Sequence, residues 1–471
     1  MKKFNKDSYL KKLKLKRNWQ RFSKYFCVGI PCVLCLVLGI YFAYSKFFVS
    51  KEQSVVRTTV GDFIYGDVVI NAYIDGEYSS TIPGKNDGYV VDKVSCDNGA
   101  VGKWNNDKWG LLTTNLSKRT KCNVYFKKVV SKVSDIIAQL DTTGKCPTMN
   151  ADGSVNVTGL EATNGYLCKA KDAYGDSYYY RGNVTNNYVK FADKYWRIVR
   201  INGDGTVRVI YDGTSAHANG EASRDRQIGT SAFNSSYNDN AYVGYMYGQT
   251  GASTYADAHA NINNSTIKTY IDNWYKTNIV GTTNEQYLAD NVFCNGRSIS
   301  SNKPTSNYNN LGYGTNVTAY RWYYGPWESV DYNSSMRLMC PQKNDAFTVS
   351  DITNGNGALT YPVGLLSADE IVLAGGWPAA NSGYYLYSGQ YWWASSPFDF
   401  TGNYARVRSI GSSGYANYSD YVNNNNGVRP VFNLKAEVLK YGDGTASNPY
   451  RLTESLDNSS SSESGGIDTG D

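Results

Sequence analysis

The chain has 471 residues, enough for two or three domains, with 47 Lys+Arg against 41 Asp+Glu and a net charge of +6. Residues 1–24 hold ten Lys/Arg and one acid, Asp7, a local +9, so the remainder sums to −3 (+6 minus +9). A basic balance confined to one end is an orientation signal and not a nucleic-acid footprint, which excludes nucleic acid as an expected partner.

Behind this basic cytoplasmic segment, "YFCVGIPCVLCLVLGIYFAYS" runs from Tyr25 to Ser45 without a charge. At about 1.5 Å per helical residue it spans about 31 Å, the thickness of a hydrocarbon core. A transmembrane helix is therefore predicted over residues 25–45. Lys/Arg on its N-terminal flank put that end in the cytoplasm and the rest of a single-pass chain outside the cell membrane. The exit "YFAYSKFFVS" lacks a small-residue cleavage pattern, so the segment reads as an uncleaved anchor and not a signal peptide.

Cys27, Cys32 and Cys35 fall in the apolar segment, leaving Cys96, Cys122, Cys146, Cys168, Cys294 and Cys340 outside it. An even number in an oxidising compartment predicts disulfides, with fifteen pairings open. Sequence proximity favours Cys96–Cys122, Cys146–Cys168 and Cys294–Cys340. These six contain no C-x-x-C and the chain adds only His217 and His259, so neither a metal site nor a cofactor is expected.

Residues 58–128 read as a small antiparallel β-domain, with short alternating runs such as "DFIYGDVVINAYIDGEY" and "KCNVYFKK" between Gly/Asn/Asp turns. Val129, Val133, Ile136, Ile137 and Leu140 recur at helical spacing and predict a connecting helix over 129–141. A larger α+β domain is expected over 146–452. "YWRIVRINGDGTVRVIYDG" predicts a hairpin around Asn202–Gly205. "STIKTYIDNWYKTN" predicts a helix capped by Ser265, with Ile267, Tyr270, Ile271 and Trp274 on one face. "SADEIVLAGG" predicts a second helix with a Ser367/Glu370 capping box and Gly375 at its end. The tail 453–471 is too polar to pack and is expected to be disordered.

From Gly402 to Asn426, 18 of 25 residues are Asn, Tyr, Ser, Asp or Gly. Within this stretch "YARVRSI" alternates Tyr404, Arg406, Arg408 and Ile410 against Ala405, Val407 and Ser409, and "GVRPVFNL" closes the domain. Between them, "GSSGYANYSDYVNNNNG" suits hairpins with Gly-containing turns, and Trp392 and Trp393 read as core residues beneath. Tyr offers broad contact area with two torsions to freeze, while Ser, Gly and Asn offer adaptable hydrogen bonds, as in antibody loops. The alternative is a solvated meander whose polar side chains satisfy a sheet edge.

"YWWASSPF", the spaced "ARV" and "GVRPVFNL" resemble the closing part of the C-type-lectin-like fold shared by formylglycine-generating-type proteins and retroelement-diversified variable proteins. With "YWRIVRINGDGT", "VGYMYG", "FCNGRS" and "YPVGLLSADEIVLAGG", the chain is similar to bacterial membrane-anchored surface proteins ending in such a domain. The resemblance implies a ligand-binding surface on Tyr404, Arg406, Arg408, Ser412, Ser413, Tyr415, Asn417, Tyr418, Asp420, Tyr421, Asn423, Asn424, Asn425 and Asn426. It does not imply the oxidase activity, which needs paired cysteines near the C-terminus, and the last one here is Cys340.

No G-x-S-x-G or H-E-x-x-H occurs, so no catalytic residue is assigned; His217, near Ser215 and Asp212, and His259 sit in polar loops. The expected function is cell-surface recognition or adhesion, binding an extracellular protein or glycan through residues 404–426. The alternatives are an envelope structural protein without a specific ligand and a cell-wall hydrolase.

Overall fold

The computed structural model describes residues 14–15 and 69–456, except 85–88, 106–108, 116–119, 129–130, 159–161, 302–321, 378 and 417. The predicted anchor 25–45 and most of the polar tail lie outside the described residues, and among those described no helix is long and apolar enough to cross a membrane. The chain divides into two compact units, Met1–Val129 and Val130–Asp471. Both are built mostly from strands, and the architecture is mixed α+β.

In the first unit, Val69–Ile74 (β1), Glu77–Ser79 (β2), Tyr89–Cys96 (β3) and Lys121–Lys128 (β6) form a sheet in the order β2-β1-β6-β3. Val101–Asn105 (β4) and Gly110–Thr114 (β5) form a separate hairpin. In β6 the two-residue period buries Cys122, Val124 and Phe126, which join Ala72 and Leu111 in a small core. Cys96 lies directly opposite Cys122 in the β3–β6 ladder and forms the expected disulfide. One expectation is corrected: β1 and β6 run parallel, so the unit is not wholly antiparallel. Alternation predicts strands but carries no information on their direction.

The predicted connecting helix 129–141 shrinks to Val133–Ile137 (α1), and it belongs to the second unit. Ile136 is fully buried in that unit's core, and the Asp141 N–H donates to the Leu167 carbonyl at 2.9 Å. The spacing was helical, but the chain after Ile137 finds its partners in a strand.

The second unit holds two main sheets. In the first, Tyr166–Asp172 (β7), Gly175–Arg181 (β8), Lys194–Ile201 (β10) and Val207–Gly213 (β11) run in the order β7-β8-β10-β11, with Tyr188–Phe191 (β9) also on β10. Val431–Leu434 (β17) and Val363–Gly364 (β13) continue it beyond β11. The β10–β11 hairpin turns at Asn202–Gly205 as its sequence predicts, with the Gly205 N–H donating to the Asn202 carbonyl. In the second sheet, Thr230–Ala232 (β12), Asn425–Gly427 (β16), Trp392–Phe400 (β14) and Ala405–Ile410 (β15) lead to Tyr418–Tyr421 at the end of the path. Trp392 and Trp393 are buried, as expected.

Thr266–Asn278 (α2) starts at Ser265, whose side chain accepts the Lys268 N–H. Its fully buried face is Ile267, Ile271 and Tyr275, joined by Lys268, whose ammonium pairs with Asp272 at 2.5 Å; Tyr270 and Trp274 are only half-buried. Ala368–Ile371 (α3) carries the predicted capping box, and Gly375 follows at φ 117°, in the conformation that favours glycine. The Cys146–Cys168 and Cys294–Cys340 disulfides form as expected.

The interior of this unit is unusually ionic. Asp212, fully buried, accepts Arg226 at 2.8 Å and Arg429 at 2.9 Å, with Arg197 at 3.9 Å. Glu370 accepts Arg208 at 2.7 Å and Arg200 at 3.2 Å besides capping α3. Arg297 pairs with Asp345, while Arg181 donates to the carbonyls of Val372 and Leu373. Buried guanidinium groups persist only when paired and hydrogen-bonded, so these contacts fix the relative placement of distant strands.

Candidate recognition surface

The stretch singled out in the sequence forms the hairpin of β15 and Tyr418–Tyr421 (call it the edge strand) at one side of the second sheet. Arg406 pairs with Tyr421 and Arg408 with Ser419, whereas Val407 pairs with Asp420 and Ser409 with Tyr418. Directly opposed residues share a face and successive residues alternate, so Tyr421 and Tyr418 project from opposite sides of the ribbon.

Ring contacts follow that division. On one face Tyr404 stacks on Tyr237 with centroids 5.3 Å apart and lies 5.1 Å from Tyr421. These three are among the exposed aromatics, at 37% for Tyr237, 40% for Tyr404 and 42% for Tyr421. On the other face Tyr418 meets Tyr391 at 5.6 Å and Tyr415 at 6.3 Å, and Tyr415 stacks on Trp377 at 5.5 Å. Each aromatic pair contributes about 0.5–1.5 kcal/mol beyond area burial, which favours one arrangement of the rings before any ligand arrives.

The polar side chains of the segment are largely committed to the fold. Arg406 is half-buried and clamps the buried Asp399 carboxylate through two nitrogens, directly across the β14–β15 ladder. The hydrogen bonds to Asp399 raise the Arg406 pKa against the opposing effect of burial. Asp420 accepts Asn424 Nδ2, Asn426 Nδ2 at 3.1 Å and the Tyr421 N–H at 2.9 Å. The Tyr421 carbonyl accepts the Asn424 N–H, so both backbone groups of Tyr421 are engaged within the hairpin.

Two assignments are corrected. Arg408 is buried, lying against Asp331 and the Ala416 carbonyl with Phe398 4.8 Å from its guanidinium, and burial lowers its pKa. Asn426 is buried beneath Asp420. Strict alternation placed Arg408 outward with Tyr404, but from Val407 onward β15 is covered on both faces. Tyr404, Ser412, Tyr418, Tyr421, Asn423, Asn424 and Asn425 are exposed; Arg406, Ser413, Tyr415 and Asp420 are half-buried; Asn417 lies outside the described residues. Sequence reading missed Tyr237 and Tyr391, which are remote from the segment or precede it and join it only through long-range backbone hydrogen bonds and ring contacts.

The histidines have structural settings. The His217 ring nitrogens lie 2.7 Å from Glu221 and 2.9 Å from Asp225. His259 is buried edge-on to Tyr255 at 3.9 Å, and burial beside Arg297 pushes its pKa down to about 2.

A family described as a domain of unknown function (DUF6273) matches residues 327–436. No curated protein and no solved structure matches the chain. The matched stretch contains α3, β14, β15, the edge strand, β16 and β17, and therefore the whole hairpin bearing Tyr404 and Tyr421. It stops short of β7–β11, although β17 pairs directly with β11.

Proposed function

We propose that this protein is a cell-surface recognition protein, held by an anchor at residues 25–45 with the chain beyond the anchor outside the cell. It would bind an extracellular protein or glycan through the tyrosine face of the 404–426 hairpin. The observation that carries this reading is the exposed trio Tyr237, Tyr404 and Tyr421, in which Tyr404 packs on both of the others beside a hairpin whose arginines are already paired. Exposed aromatic side chains ordered in advance lose little entropy on binding and supply most of the energy at such contacts. A C-type-lectin-like architecture for the second unit is part of the same reading; the terminal strand β17 returning to pair with β11 of the first sheet supports it.

The division of the ribbon sharpens the test. Tyr404→Ala with Tyr421→Ala removes one face; Tyr391→Ala with Tyr418→Ala removes the other. Adhesion of cells displaying the full chain to matrix proteins and glycans should fall at least tenfold in the first variant and much less in the second. Equal adhesion by wild type and the first variant would refute the site.

A further inference from the structure

The second unit contains a cavity of about 280 Å³, remote in sequence from the tyrosine hairpin and built by different elements. Its walls are β7, β8, the turn at 183–186 and the chain leaving α1. These parts are locked together: the Asp141 N–H donates to the Leu167 carbonyl, and the Cys146–Cys168 disulfide ties the same two segments. Gly165 lets the walls meet, since a Cβ there would lie 2.6 Å from the Asn183 carbonyl oxygen. The cavity therefore stays open without a ligand to hold it.

Its lining is polar and lacks any basic group among the described residues. The one carboxylate, Asp141, already accepts the Thr143 hydroxyl and the N–H groups of Thr143, Lys145 and Cys146, and the Thr143 hydrogen bond leads in lowering its pKa to about 2. An anionic ligand would meet that fixed negative charge with no cation to offset it, and a cationic ligand would find its oxygens occupied. Asn186 gives its Nδ2 to Gln139 Oε1 at 2.8 Å, and Asn183 lends its Oδ1 to Asn219 at 2.6 Å. What each amide keeps for a ligand is its other atom, an acceptor on Asn186 and a donor on Asn183. The half-buried Tyr166 adds ring surface beside this pair, with the buried Tyr180 behind it.

We infer that this cavity binds a single neutral pyranose ring. An amide acceptor and an amide donor in one lining, beside the Tyr166 ring, suit the hydroxyls and the apolar C–H face of a sugar. The volume lies just below the range of about 300–1,000 Å³ usual for ligand pockets, which admits one ring and not a chain. This site is independent of the tyrosine-face reading.

Saturation-transfer NMR on the full chain with methyl β-glucoside, N-acetylglucosamine and glucuronate tests it. At least one neutral sugar should give a signal at millimolar concentration, and glucuronate should bind at least tenfold more weakly. Thr185→Trp, an exposed position on the cavity wall, should weaken the neutral sugar at least tenfold, as should Asn186→Ala; the Tyr404→Ala/Tyr421→Ala variant should bind it normally. Silence from both neutral sugars, equal binding of glucuronate, or undiminished binding by both wall variants would overturn the assignment.

Discussion

The interior around Asp212 and the ribbon around Tyr404 invert the usual order of a protein. The interior is rich in arginine, and the surface is rich in aromatic rings. Asp212 is shared by Arg197, Arg226 and Arg429, which come from β10, the turn after β11 and the approach to β17. Such a hub does little for net stability, because desolvating the charges offsets their attraction, but it penalises any misplacement of the strands that bring them. The tyrosines lie under the opposite condition: water reaches them, and no fold requirement explains three adjacent exposed rings. The difference suggests that the charged interior fixes geometry and the ribbon uses it.

The largest effect is expected at the hub. Asp212→Asn leaves three buried guanidinium groups without their shared counter-charge and is expected to lower the unfolding free energy of the second unit by about 3–5 kcal/mol. Urea titration measures this, and a loss under about 1 kcal/mol would mean the hub is dispensable. The second is Asp369, beside the Glu370 cap. Burial raises its pKa from 3.8 to about 6, while the Arg337 N–H bond partly offsets the effect. The folded state thus keeps a proton that the unfolded chain has released. The contribution of Asp369 to stability is greatest below about pH 4, falls as pH rises towards 6, and is level above that. The loss is roughly 3 kcal/mol at about 1.4 kcal/mol per pKa shift of one. Asp369→Asn should remove that dependence, since its amide oxygen can still accept the Arg337 N–H; unfolding at pH 4 and pH 7 would reveal an unchanged profile if this is wrong. The smallest effect belongs to the ribbon: Tyr404→Ala with Tyr421→Ala should cost about 1–3 kcal/mol of stability, the worth of the two exposed ring pairs it removes.

The same contrast explains what could be read from the sequence. Signals closed within a few residues were legible: the Asn202–Gly205 turn, the Ser265 cap and the Ser367/Glu370 box all stand as their spacing implied. The three disulfides followed from proximity because each closes a short span. The position of the exposed tyrosines at 404, 418 and 421 was legible from composition, but their separation onto two faces was not. That depends on register between strands, and a shift of one residue exchanges the faces. Arg408 was misread because arginine is rarely buried and its partner, Asp331, lies in a distant segment. Tyr237 joins Tyr404 by the same long-range route.

Whether the ribbon is held rigid is the most direct question, and amide hydrogen exchange across residues 402–427 answers it. The Ala405 N–H donates to the Tyr237 carbonyl at 2.7 Å and the Asn234 N–H to the Val422 carbonyl at 2.8 Å, binding both ends of the hairpin to the body, while the Val422 N–H donates to the Ala405 carbonyl at 3.2 Å and closes the ends on each other. Ala405 and Val422 should exchange as slowly as amides of β10, on the timescale of opening the whole unit. Exchange of both at the rate of an unstructured peptide would contradict a preformed recognition surface.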